Sequence, residues 1–273
     1  MGVTQAQKAE AFAALHVPGQ PFVIGNVFDG LSARMLAGEG FEALATSSWV
    51  QAALLGRMDR RTSRETALAH ARIIAEATHL PASADLENGL GDAPEDVAET
   101  IRQAAASGLV GCTIEDATGR AGAPIYDFAE AVTRIEAGVA AARALPFRFT
   151  LTARSENFRP GDHRPRRHDP ALAGVRGRRG RRPDGARPAR PHAMRRVCNS
   201  VSKPVNFMAG IPGRSFTADS LAEVGVARIS IAQTLYTHAM AAAARAARET
   251  RSDGTFTYLD PSPSVDFGVL LKA

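Results

Sequence analysis

Seven short apolar, β-branched runs punctuate the chain: Pro21-Phe22-Val23-Ile24, Phe41 to Ala45, Leu80 to Ala84, Leu109 to Ile114, Phe147 to Leu151, Lys203 to Met208 and Val226 to Ile231. Most are separated by helix-length segments whose apolar residues recur at a period near 3.6. Ser63-Arg64-Glu65-Thr66 opens one such helix, which runs to Thr78 with Thr62 or Ser63 as its cap. Asp92 caps another, with Pro94 just inside and Glu95 and Asp96 in its first turn. This strand-then-helix rhythm predicts a parallel sheet.

The last four runs begin at 109, 147, 203 and 226, so one interval of 56 residues stands among intervals of 38 and 23. A strand and helix are missing from the long interval. Seven visible strands and one missing strand make eight, which predicts an α/β fold of the (β/α)8 TIM-barrel type with an extra C-terminal helix, all in one domain. A doubly wound open sheet is the runner-up, but the chain has neither G-x-G-x-x-G nor a phosphate loop. Ala209-Gly210-Ile211-Pro212-Gly213 lacks the lysine and hydroxyl of such a loop and reads as the connection after the seventh strand.

The missing unit coincides with Arg159 to Arg196, where 13 Arg, 6 Pro and 5 Gly fill most of 38 positions. Proline at this density argues against regular structure, and the composition alone is that of disorder. The segment also carries the basicity of the chain. Its 13 Arg against 3 Asp give +10, which leaves 20 bases and 25 acids, a net of −5, elsewhere. One reading is a basic arm for a polyanion such as RNA. The other fits better: 30 Arg against 3 Lys is the signature of a GC-rich gene, and an out-of-frame stretch of such a gene yields mainly Arg, Pro, Gly and Ala. Residues 159 to 193 therefore read as a compensated frameshift, in place of the sixth β/α unit.

Cys112 and Cys198 make no disulfide framework and have no metal-ligand spacing, which fits the reducing cytoplasm. No stretch approaches the ~18 apolar residues of a membrane span, and Met1 to Gln20 has no apolar core of a signal peptide.

Candidate chemistry lies where the apolar runs end. Ser83-Ala84-Asp85-Leu86-Glu87-Asn88-Gly89 closes one run and Thr113-Ile114-Glu115-Asp116 the next, with Glu115 28 residues after Glu87. Carboxylates at the carboxyl ends of buried parallel strands stand where such folds build sites, and an acid there is costly to bury unpaired. Asp85, Glu87 and Glu115 thus form a candidate oxygen-rich site for a hard divalent cation, Mg²⁺ or Mn²⁺.

Seven motifs in order then carry a resemblance. They are Gly25-Asn26-Val27-Phe28-Asp29 with Ser32-Ala33-Arg34; Ala45-Thr46-Ser47-Ser48; Leu55-Gly56-Arg57-Met58-Asp59; Ala84 to Gly89; Ile114-Glu115-Asp116; Thr152-Ala153-Arg154-Ser155-Glu156-Asn157-Phe158; and Lys203-Pro204-Val205-Asn206. Over residues 8 to 158 and again from 194 to about 270 the chain resembles the isocitrate lyase/phosphoenolpyruvate mutase superfamily. The resemblance implies a (β/α)8 barrel, a homodimer or homotetramer that exchanges C-terminal helices, and a Mg²⁺ that holds a small anionic 2-oxo acid or its enolate. It implies that Asp85 is the nearest metal ligand and that Asp59, Glu87 and Glu115 hold metal-bound waters. It further implies that Arg154 faces the substrate carboxylate or enolate oxygen, that the backbone amides of Thr46, Ser47 and Ser48 cradle its far anionic group, and that Asn206 contributes to the substrate site.

The superfamily's isocitrate and methylisocitrate lyases carry a Lys-Lys-Cys-Gly-His loop after the fourth strand, whereas Ala117 to Pro124 holds no thiol. Those two activities are therefore not expected. The resemblance favours carbon–carbon cleavage of the oxaloacetate-decarboxylating kind, with phosphonomutase or hydrolase chemistry second. His70, His79 and His238 have no catalytic spacing, Cys112 reads as a small buried hydrophobe, and Trp49 and Phe158 read as pocket wall or core.

Overall fold

A computed structural model of the chain describes residues 2–156, 174–175, 190–210, 216–260 and 265–271. Nine of its elements build the first half: α1 (Gln5–Ala14), β1 (Phe22–Asn26), α2 (Gly30–Gly38), β2 (Leu44–Ala45), α3 (Ser48–Leu54), α4 (Arg64–Ala77), β3 (Ala82–Asp85), α5 (Pro94–Ala106) and β4 (Gly111–Glu115). Then follow the hairpin β5 (Ala117–Arg120) and β6 (Ala123–Ile125), α6 (Phe128–Arg143), β7 (Thr150–Arg154), β8 (Gly174–Val175) and α7 (Arg190–Ser200). The chain continues through β9 (Val205–Met208), α8 (Ala218–Ala222), β10 (Val226–Ser230), α9 (Thr234–Arg248) and a short α10 (Phe267–Leu270).

Eight strands form one parallel sheet in the order β7-β4-β3-β2-β1-β10-β9-β8. The sheet curls until Cα atoms of its end strands, β7 and β8, come within 8 Å, yet no ladder joins these two among the described residues. The architecture is a mixed α/β fold with a curled parallel sheet. All strands run the same way, so their carboxyl ends share one mouth. Among the described residues no helix is long and apolar enough to cross a membrane.

The seven runs become β1, β2, β3, β4, β7, β9 and β10, with shifted bounds. Phe41 to Ala43 stays outside β2, and Phe147 to Phe149 precedes β7. Ser63 caps α4 through its hydroxyl. Asp92 does not cap α5, whose cap position is Ala93; Asp92 instead accepts from the Tyr126 hydroxyl at 2.5 Å. The Ala117 to Pro124 loop is an antiparallel hairpin.

The Arg-rich segment is not wholly without regular structure. Gly174 and Val175 pair in parallel with Asn206 and Phe207, which gives the expected gap a two-residue strand. The start of α7 also falls inside it; 157–173 and 176–189, with Phe158, lie outside the described residues, as do 211–215 of the loop after β9.

Two layers of apolar residues hold the sheet. The outer one, including Leu68, Ile74, Val97, Ile101 and Ile114, lies between strands and helices, and the buried Cys112 belongs to it as a packing residue. Inside the curl, Phe12 of α1 meets Phe22, Ile24 and Val110 and plugs the amino-terminal end of the strands. Gly111 makes that closeness possible, since a Cβ there would stand 2.9 Å from the Phe12 ring and 2.7 Å from the Thr150 carbonyl oxygen. With that end filled, the opposite mouth remains for a site.

Candidate active site

At the carboxyl ends of the strands lies a pocket of about 930 Å³ including its open mouth, lined by Thr46, Ser47, Ser48, Asp59, Asp85, Glu115, Arg154 and Asn206 among others. Every expected site residue except Glu87 lines it. Arg154, the last residue of β7, is part of this lining. Its Nε donates to Glu156 Oε1 at 2.6 Å, Nη2 lies 3.1 Å from Glu115 Oε2, and Nη1 lies 3.5 Å from Asp85 Oδ2. Burial alone would lower the pKa of this guanidinium, but Asp85, Glu156 and Asp59 outweigh it and hold Arg154 firmly charged. Glu156 is fixed in turn by Asp116, whose carboxylate accepts from the Glu156 amide at 2.7 Å and the Ser155 hydroxyl at 2.9 Å.

Asp85 ends β3, and its Oδ2 accepts from the Ser48 hydroxyl at 3.0 Å. The loop that follows bends sharply, with Glu87 (φ 51°) and Leu90 (φ 56°) in left-handed backbone. It is braced from behind. Thr100 donates to the Gly89 carbonyl at 2.6 Å, and buried Arg134 donates to the Asn88 and Gly91 carbonyls while lying over the Tyr126 ring. Glu87 is buried outside the pocket lining, and its carboxyl is pushed up to about 7 by burial and then by Asp85 and Asp59, against the pull of Arg60. Glu115 pairs with Arg60 as well as Arg154. Asp59 lines the cavity, and the guanidinium of its neighbour Arg60 reaches into the same cavity to Glu115.

Among the described residues no three His, Cys, Asp or Glu side chains are grouped tightly enough to hold a metal ion directly. The donor set still fits a hard cation held largely through water: all its donors are oxygens, and the crowding of Asp59 and Asp85 against Glu87 is the repulsion a cation relieves.

The anion cradle is narrower than expected. The Thr46 amide is engaged by the Ser83 carbonyl at 3.1 Å, while the Thr46 hydroxyl accepts from the Asp85 amide at 3.2 Å. Among the described residues no acceptor takes the amides of Ser47 and Ser48. Asn26 sets the loops around them: its Nδ2 donates to the Thr46 carbonyl, and its Oδ1 accepts from the amides of Ile231 and Ala232. Trp49 is a pocket wall, edge-on to Tyr236.

Under the pocket, Arg228 of β10 contacts His16, which follows α1. Arginine only donates and the Phe12 carbonyl only accepts, so His16 carries its proton on Nδ1 toward Phe12 (2.8 Å) and offers Nε2 to Arg228 (3.4 Å). Burial, then the Arg228 charge, drives the His16 pKa down to about 4. An unfolded chain takes up this proton below about pH 6.5 whereas the folded one refuses it until about 4, so the stability from neutral His16 is full above 6.5 and is lost as pH falls to 4. We expect the melting-temperature advantage over His16→Asn to shrink across that window; a difference independent of pH would refute the assignment.

Comparison with known proteins gives the family. The family model described as phosphoenolpyruvate phosphomutase matches residues 12–251. The chain belongs to this family. With it the chain falls within the isocitrate lyase/phosphoenolpyruvate mutase superfamily, whose members are lyases and mutases. A candidate lyase/mutase of Burkholderia cenocepacia J2315 is 42% identical with a TM-score of 0.85, covering 98% of this chain and 96% of that one. A candidate phosphonomutase of the same organism is 33% identical with a TM-score of 0.76, covering 90% and 99%. In fold alone the likeness extends to an oxaloacetate acetylhydrolase in complex with oxalate, at 20% identity and TM-score 0.80 over 98% and 94%.

Within this phosphomutase-family chain, sequence reasoning missed Arg60, Asp116, Glu156, Thr152, Arg228 and His16. Asp116, Thr152 and Glu156 stand in the motifs that carry the resemblance without a role assigned to them, and Arg228 left a signal of its own. The apolar run Val226 to Ile231 contains Arg228, and the rule that flagged buried acids applies equally to a buried base.

Proposed function

We propose that this protein is a Mg²⁺-dependent enzyme that cleaves a carbon–carbon bond in a small 2-oxo acid through an enolpyruvate-type intermediate, with oxaloacetate-type decarboxylation as the leading case. The observation that carries it is Arg154, a charged guanidinium in the pocket lining held by Glu156, Glu115 and Asp85. Breaking a bond next to a carbonyl leaves electron density on the carbonyl oxygen, and a fixed guanidinium in a sheltered cavity stabilises it without reorganising. The amides of Ser47 and Ser48 receive the substrate's far carboxylate. Asp85 would hold Mg²⁺, or Mn²⁺, with Glu87, Glu115 and Asp59 acting through bound water, and the ion supplies Lewis-acid stabilisation of the same developing charge.

The phosphonomutase likeness supports a second reading, phosphorus–carbon rearrangement, in which the same groups face a phosphonopyruvate. A screen with Mg²⁺ against oxaloacetate, phosphonopyruvate, phosphoenolpyruvate and substituted malates separates the two readings, and silence on all of them by a folded protein would refute both.

The functional form we propose is a closed (β/α)8 barrel in a homo-oligomer. Supporting this, α9 buries none of its residues, and Met240 within it and Phe256, Leu259, Phe267 and Val269 after it in the chain are exposed. Light scattering after gel filtration should give a dimer or tetramer; a monomer at micromolar concentration would count against it.

A further inference from the structure

Arg228 is 4% exposed, lines the pocket from below, and faces no carboxylate within 4.0 Å among the described residues. Every hydrogen bond it makes among the described residues is with a neutral group. Its Nε donates to Asn206 Oδ1 at 2.8 Å, Nη2 to Thr152 Oγ1 at 3.0 Å, and Nη1 to His16 Nε2 at 3.4 Å. A buried charge without a counter-charge is costly, and this one persists because three oriented dipoles surround it. Among the described residues no carboxylate pairs with it; an incoming anion would.

The contact with Asn206 also fixes a direction. An amide's oxygen and nitrogen ends are interchangeable until a partner decides, and a guanidinium only donates, so Asn206 must present Oδ1 to Arg228. Its Nδ2 is thereby aimed away, toward Ser230 Oγ at 3.2 Å and the cavity that Asn206 and Ser230 both line. One of its two N–H groups suffices for Ser230.

We propose that Arg228 is a positioning residue that, through Asn206, makes the pocket floor a receptor for a substrate carboxylate opposite the Ser47–Ser48 amides. The substrate would then be held at two carboxylates, which specifies a dicarboxylate over a monocarboxylate. This rests on the small 2-oxo acid reading, but it is tested separately from turnover.

The test uses the full chain, metal-free in chelator, with malonate as an unreactive dicarboxylate and neutral malonamide as control. Calorimetry should show malonate bound and malonamide not. Arg228→Met should weaken malonate by 10-fold or more, and Arg228→Lys, which keeps the charge but loses the fork, should fall between. Asn206→Asp guards against mere misfolding: its carboxylate pairs with Arg228, so melting should stay level or rise while malonate binding vanishes by repulsion. Malonate affinity within twofold of the parent's in Asn206→Asp, or in a folded Arg228→Met, overturns the proposal, as does a parent that binds no malonate. If oxaloacetate is turned over and Arg228→Met leaves KM unchanged, the floor proposal fails while the lyase reading stands; if malonate binds through Arg228 but no 2-oxo acid reacts, the lyase reading fails alone.

Discussion

Arg154→Met is expected to lower turnover by 10²-fold or more, because it removes the donor nearest the developing negative charge. It should also destabilise the fold by about 3–5 kcal/mol, since Glu156, 1% exposed and bonded to Arg154 through Nε, is left as a buried carboxylate without its cation. The two losses can be separated. Adding Glu156→Gln to Arg154→Met replaces that stranded charge by an amide of the same shape, so melting should recover while activity does not. If Arg154→Met keeps activity within 10-fold of the parent, Arg154 is a structural arginine and the proposed mechanism is wrong.

Replacing residues 159–193 by the sequence of the restored reading frame is expected to raise the melting temperature by on the order of 10 °C, and to raise activity with it. The reason is the edge of the sheet. β8 is two residues long, and β7, which carries Arg154, has a ladder partner only in β4 among the described residues. A full sixth strand would pair with both β7 and β9 and hold the end of β7 in place. Parallel melts and peptide mass spectrometry of the segment decide it: equal melting temperatures, or a gene that encodes the segment in one intact frame, would refute the frameshift reading. A basic arm predicts instead that the literal chain binds nucleic acid with steep salt dependence and that deleting 160–192 abolishes binding.

The sequence by itself determined the order of strands and helices and the residues at the strand ends. Apolar runs mark strands because a parallel strand covered on both faces must be apolar along most of its length. The same rule misplaced the ends. β3, β4 and β7 extend to Asp85, Glu115 and Arg154, past the last apolar residue of each run, because ladder hydrogen bonds belong to the backbone and continue while the side chains turn polar toward the pocket. Those residues were therefore legible as candidates even where the strand bounds were not.

Only the tertiary structure decided how they pair. Arg60 sits beside Asp59 in the chain but turns through a left-handed backbone to reach Glu115, 55 positions on. Glu87, two residues from Asp85, is in left-handed backbone and stays out of the pocket wall. Arg228 and His16 meet 212 residues apart, where the curl of the sheet brings β10 over the end of α1. Local pattern records burial and backbone preference, which act over a few residues; which charge neutralises which is settled by the closure of the sheet, and that joins positions with no periodic relation in the sequence.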